Sequence, residues 1–239
     1  MKILQRTLIV LVVAMMILGA LLVLSASGTY SQMKTDNFYI LFRAHAWKVF
    51  VALVLMIGAW LFVPYEFYKK YSKQAILFTL LLLAITFIVA PKTKGASRWI
   101  DLGFFQFQPS ELAKLILIIH IAHLIEKKGD LLHSFNEGYR YVVVWIFAVA
   151  GLVLIQPNVS TALIITMLGF TLLFVAGARL KHIFATLGIA AAGAGSVMML
   201  FTHSRERILT FFGSMQNGGD INIQVKQATI ALGSGGWLG

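Results

Sequence analysis

Seven apolar runs, most of them near the length that crosses a bilayer, decide what this chain can become. They cover 8–24, 44–63, 74–90, 110–125, 141–155, 160–178 and 183–201. As a helix, about 20 mostly apolar residues cross the hydrocarbon core. The third, fourth and fifth runs are short and extend into their flanks. Charged residues make up only 12% of the 239-residue chain, where a soluble domain carries about a quarter. The fold expected is an all-α, polytopic integral membrane helical bundle, a single transmembrane domain over 1–239. The first run has a basic start, Lys2 and Arg6. It is nevertheless too long for a cleaved signal, and six more runs follow it.

The net charge of +11 would suggest nucleic acid in a soluble protein. Here the cations lie in short loops between apolar runs, so anionic lipid headgroups are the simpler partner, and no nucleic acid is expected. A phosphorylated substrate is compatible with the same excess. With the N-terminus in the cytoplasm, Lys and Arg divide ten against nine between the two sides, Lys114 set aside. The loop bias that normally orients membrane proteins barely decides. Nine cations on the translocated side exceed what topology needs. There are no cysteines, which excludes disulfides and thiolate metal sites.

One stretch does not fit its apolar surroundings: "KGASRWIDLGFFQFQPSELAK", 94–114. With Gln108 at the cap, Pro109 is the first helical residue, where its missing N–H costs nothing. Glu111 then falls at the third position, where a carboxylate accepts from free backbone N–H groups and faces the positive end of the helix dipole. Lys114 follows three residues later on the same face. Each residue has a plain structural explanation, Glu111 as a helix-start carboxylate and Lys114 as a long stem reaching back to the interface or as one half of an i,i+3 ion pair. Ionisable side chains inside a span are costly, however, and usually face the bundle interior or a water-filled cavity. The two together favour a polar cavity open to one side. Upstream, Trp99 suits an interface belt and Arg98 pairs with Asp101 in the simplest reading; alternatively the Arg98 fork binds phosphate or pyrophosphate.

The remaining motifs are structural on their face. "LIQPNVSTAL", 154–163, reads as a tight turn in which Asn158 or Ser160 caps the next helix. "GIAAAGAGS", 188–196, is a small-residue surface for close helix packing. His120 and His123 lie well round from Glu111 and Lys114, near the far interface. No metal site arises from histidine spacing, and there is no phosphate loop, nucleophile elbow or zinc helix. "QVKQATIALGSGGWLG", 224–239, does not read as a natural terminus.

Three of these stretches, in this order, resemble the SEDS family (shape, elongation, division and sporulation proteins: FtsW, RodA, SpoVE). The 94–114 stretch resembles its signature loop. "LIQPNVSTALII" resembles its turn between the fifth and sixth spans, with Asn158 where Asp is common. The segment 224–239 resembles the opening of its large extracytoplasmic loop, placed here over 202–239. "GASRWI" is more like the FtsW branch than RodA, where Gln often replaces the Ser. The resemblance implies ten spans, about seven of them present here. It implies a peptidoglycan glycosyltransferase in the bacterial inner membrane, polymerising lipid II at the division septum. Alternatives are a RodA-type polymerase of elongation, a lipid II flippase, or a division scaffold. It places Glu111 and Lys114 at the extracytoplasmic mouth of a central cavity, in supporting catalytic roles. Lys94, Arg98, Trp99, Gln108 and Ser110 become the substrate-binding set. The family's general-base Asp belongs to a motif beyond Gly239, so the chain alone is expected to be inactive. No protein metal site is implied, and a divalent cation, Mg or Mn, is the candidate cofactor. The partners implied are lipid II, membrane lipids, a class B penicillin-binding transpeptidase and other division proteins.

Overall fold

The structure is a computed structural model that describes residues 2–89, 99–101, 106–156, 158–200 and 223–235. By Cα proximity the chain divides into two compact units, 1–67 and 68–239.

The first unit is a helical hairpin of α1 (Lys2–Thr35) and α2 (Ile40–Phe62). Helix α1 runs well past the apolar stretch that ends at 24, through the polar residues to Thr35. Its hydroxyls explain why: Ser27 donates to the Val23 carbonyl at 2.6 Å and Thr35 to that of Ser31 at 2.7 Å. Such back-bonding satisfies the side chain without a solvent partner. The helix stops where Asp36 takes a left-handed conformation, φ 57°, which an L-residue other than glycine adopts mainly when it is Asn or Asp. Ser31 then donates to the Asn37 carbonyl at 2.6 Å, and the Tyr39 N–H donates to Asn37 Oδ1 at 3.0 Å, closing the turn. Val63, at the end of α2, is extended, as the residue before a proline prefers to be.

The second unit is built from α3 (Tyr65–Val89, entering from the first unit), α4 (Pro109–Lys128), α5 (Arg140–Ile155), α6 (Val159–Val175), α7 (Leu180–Leu200) and α8 (Ile223–Gly235). Ile76 and Leu83 of α3, Leu117 and Ile121 of α4, Val142, Ile146 and Val149 of α5, and Ile165 and Leu173 of α6 form its buried core. In lipid, side chains gain little from leaving an equally apolar solvent, so close contact must hold helices together. Gly169 of α6 provides such contact: a Cβ there would lie 2.6 Å from Ile146 of α5. The rings of Phe147 and Phe170 meet beside it, centroids 5.9 Å apart.

Every stretch expected from hydropathy to span is helical over most of its length. Among the described residues, four segments are long and apolar enough to cross a membrane: Arg6–Thr35, Ile40–Phe62, Tyr65–Ile88 and Phe135–Ile155. Val159–Val175 and Leu180–Gly193 are apolar but shorter. Helix α4 is not in that set; its 20 residues include Glu111, Lys114, Glu126, Lys127 and Lys128. The architecture is that of a polytopic helical membrane bundle.

Three features go beyond the sequence reading. Helix α3 extends the third run into its flank and begins at Tyr65, where its polar first turns carry an ion pair between Lys69 and Glu126, Nζ to Oε1 2.6 Å. The α4–α5 connection is ordered, as a 3-10 turn (Gly129–His133) and a π turn (Phe135–Tyr139). Helix α8 lies within the 202–239 stretch read as loop.

Candidate active site at the start of helix α4

The signature stretch enters α4 through a two-residue antiparallel ladder, β1 (Ile100–Asp101) with β2 (Gln106–Phe107). Ile100 pairs with Phe107 and Asp101 with Gln106. The residues just outside the ladder are Trp99 on one strand and Gln108 on the other. A stretch of Gln, Phe and Gly gave no alternation long enough to announce a strand, so the all-α expectation missed this pairing.

Helix α4 then starts as its local chemistry requires. Gln108 is the cap residue, extended at φ −107° and ψ 106°, and Pro109 opens the first turn. The Glu111 N–H reaches the Gln108 carbonyl at 3.0 Å. Glu111 Oε2 takes Lys114 Nζ at 2.8 Å, the i,i+3 pair on one helical face that the spacing allowed. A mobile carboxylate facing a full positive charge gains more there than from one more backbone N–H. The pair is graded in exposure, Glu111 at 56% and Lys114 at 24%. The lysine side chain is thus the more covered partner and the glutamate the more exposed one.

Ser110 lies beside them with 1% exposure, and its hydroxyl has no hydrogen-bond partner among the described residues. Four residues before Lys114, it shares that helical face. Trp99 is 46% exposed and Gln108 half-buried. The site thus joins an ion pair, an unmatched buried hydroxyl, a surface indole and an amide around one helix start. Lys94 and Arg98 lie outside the described residues, as does the Asp101 side chain.

Among the described residues no three His, Asp or Glu side chains come together as a metal cradle. Glu111, the acid at this helix start, is committed to Lys114.

Two residues acquire a place the sequence reading did not give them. Gln156, 2% exposed at the end of α5, donates Nε2 to the Leu83 carbonyl of α3 at 2.8 Å. That bond ties the 154–163 turn to the helix that leads into the signature stretch. Its signal was present, since a Gln between two apolar runs needs a partner inside the bundle. Asn158 sits at the α6 cap, 5% exposed, but makes no side-chain cap hydrogen bond. His120 also has a packing role. It is 2% exposed inside the bundle, its ring edge-on to Trp145 with centroids 4.8 Å apart.

Comparison with known proteins decides the family. The sequence pattern of the family described as "Cell cycle protein", covering FtsW, RodA and SpoVE, matches residues 5–239. The chain belongs to that family. It is 30% identical over 231 residues to a protein of Escherichia coli named "Probable peptidoglycan glycosyltransferase FtsW", covering 97% of this chain and 56% of that one. To a protein of the same name from Trichlorobacter lovleyi it is 34% identical, covering 97% and 61%. The fold is similar to the crystal structure of the rod shape determining protein RodA of Thermus thermophilus. The TM-score is 0.57 at 25% identity, over 73% of this chain and 58% of RodA. It is also similar to a chain of a peptidoglycan synthase complex described as coordinating polymerization and crosslinking, with TM-score 0.66 and 28% identity over 93% and 65%. The chain thus spans roughly three-fifths of the length of these FtsW-named and RodA relatives.

Proposed function

We propose that the protein carrying this FtsW/RodA/SpoVE-family chain is a peptidoglycan glycosyltransferase that polymerises lipid II at the division septum. It would work in the bacterial inner membrane beside a class B penicillin-binding transpeptidase and other division proteins. The names of the relatives support the activity, and similarity to a peptidoglycan synthase complex supports the transpeptidase partner. The observation that carries the reading to this chain is the Lys114–Glu111 pair on the first turns of helix α4, 2.8 Å apart with the lysine side chain the more covered of the two.

In the reaction, an acceptor sugar hydroxyl attacks the anomeric carbon of the donor. The bond from that carbon to the pyrophosphate oxygen breaks, and undecaprenyl pyrophosphate leaves. A carboxylate must take the hydroxyl proton, and positive charge must meet the leaving group. Lys114 fits the electrostatic part, either facing the pyrophosphate or holding the general-base carboxylate charged and oriented. Glu111 fixes the ammonium in place and leaves most of its donors free. Ser110 offers a buried hydroxyl for substrate, Trp99 a surface for a sugar or lipid face, and Gln108 an amide at the helix entry. Arg98 and Lys94 complete the anion-binding set.

The same charged pair in an apolar helix also suits a path for moving lipid II across the bilayer. The protein carrying this chain, reconstituted in liposomes with lipid II, separates the two by reading glycan strands and translocated lipid independently. Strands without translocation are the expected result. Translocation without strands would replace the polymerase by a flippase.

A further inference from the structure

At the opposite end of α4 from Glu111 and Lys114, two cations converge on one phenol ring. Lys128 Nζ lies 4.1 Å from the Tyr141 ring centroid, and the Arg140 guanidinium carbon lies 5.1 Å from it. Arg140 Nη2 also donates to the Tyr141 hydroxyl at 3.3 Å. Lys128 is further pinned by donating to the Glu137 carbonyl at 2.9 Å. The ion pairs formed among the described residues are Lys69–Glu126 and Lys114–Glu111. Lys128 and Arg140 have no carboxylate partner in that set, although Asp130 and Glu137 are close in sequence. Two like charges held against one ring, with only neutral acceptors, leave a positive field unanswered.

We propose that Lys128, Arg140 and Tyr141 form a clamp for the phosphate of one anionic phospholipid headgroup. The guanidinium is suited to two phosphate oxygens, the ammonium to a third as a point charge. The ring pre-orders both cations, so little side-chain freedom is lost on binding. The face of α5 below the clamp favours a lipid over free phosphate. Tyr141 stands at the start of a segment long and apolar enough to span, Phe135–Ile155. Val144, Ala148, Gly151 and Ile155 continue on its face at helical spacing. Val144 is 62% exposed and Ile155 44%. Ala148 is small, and a Cβ at Gly151 would meet nothing within 4 Å. The result is an open apolar helix face descending from the clamp, along which an acyl chain can lie.

The test uses the full chain in detergent, with thermal unfolding read as phosphatidylglycerol, phosphatidylcholine or inorganic phosphate is titrated in. Phosphatidylglycerol is expected to raise the melting temperature at concentrations where the other two do not. The Lys128→Gln/Arg140→Gln pair is expected to weaken that response about tenfold or more, since each cation near an anionic surface contributes severalfold to binding. A charge-matched control on α3, Lys70→Gln/Lys73→Gln, is expected to weaken it less than about threefold, as charges outside the clamp act only through a screened field. Equal weakening by both pairs would replace the clamp by diffuse surface charge. Stabilisation by inorganic phosphate as strong as by phosphatidylglycerol would overturn the lipid assignment. No preference of the unsubstituted chain for the anionic lipid would overturn the site altogether.

Discussion

Lys114 and Glu111 show how little an ion pair says about stability and how much about chemistry. With the carboxylate more than half exposed, the pair contributes only about 0–1 kcal/mol to folding. Glu111→Gln is therefore expected to shift the unfolding midpoint of the detergent-solubilised chain by no more than that, and a loss of several kcal/mol would mark a structural role. Gln156 is the opposite case. Its amide is buried against the Leu83 carbonyl, which keeps its helical environment if the amide goes. Gln156→Leu is expected to cost about 1 kcal/mol or less, the usual worth of a hydrogen bond between membrane helices. Gln156→Glu places an acid at the same 2% exposed position facing an acceptor, and is expected to cost several times more. Thermal unfolding of the two variants side by side checks the ordering, and equal costs would remove Gln156 as a tie between α5 and α3. At this scale the sequence was half legible. Cap, proline and acid at 108–111 announced the helix start. The choice Glu111 made between backbone and Lys114 depended on which partner carried charge, and spacing alone allowed both. The burial of His120 was hidden because neighbours on α5 supply it.

The helices were legible from apolar length, and their ends were not. Helix α1 outruns its apolar stretch because serine and threonine hydroxyls bond back to the helix. Helix α3 starts early because an acid 57 residues away, Glu126, holds Lys69. Neither cause is local in composition. The glycines divide in the same way. The small-residue run 188–196 looked like the packing surface, yet a Cβ at Gly188, Gly193 or Gly195 would meet nothing within 4 Å. The contact that matters is at Gly169, against the fully buried Ile146. Gly169→Ala is expected to destabilise by about 1–3 kcal/mol, the usual cost of overfilling a packed core. Ile146→Val in the same chain is expected to restore part of it. Gly188→Ala is expected to be neutral or slightly stabilising, since alanine is the better helix former. Unfolding midpoints of the three variants test this, and a Gly188→Ala loss as large as that at Gly169 would reverse the assignment of the packing face.

For the whole molecule, apolar length gave the membrane class and three motifs gave the family, which the match over residues 5–239 establishes. Activity was not legible from composition: a chain with +11 net charge and few acids suits a lipid anchor, a transporter and a polymerase equally. What narrows the choice is the charged pair at the start of α4, with Lys114 its more covered side chain. In the protein carrying this chain, Lys114→Met is the direct test, with polymerisation of lipid II measured at matched amounts of folded protein. The account predicts a protein that folds normally and polymerises at least about tenfold more slowly, because a charge placed in advance for the reacting groups is lost. Lys114→Arg is expected to recover only part of the rate, since the broader guanidinium does not reproduce the ammonium's position. A Lys114→Met protein that polymerises at the unsubstituted rate would contradict the account and return Lys114 to the role of an interfacial anchor.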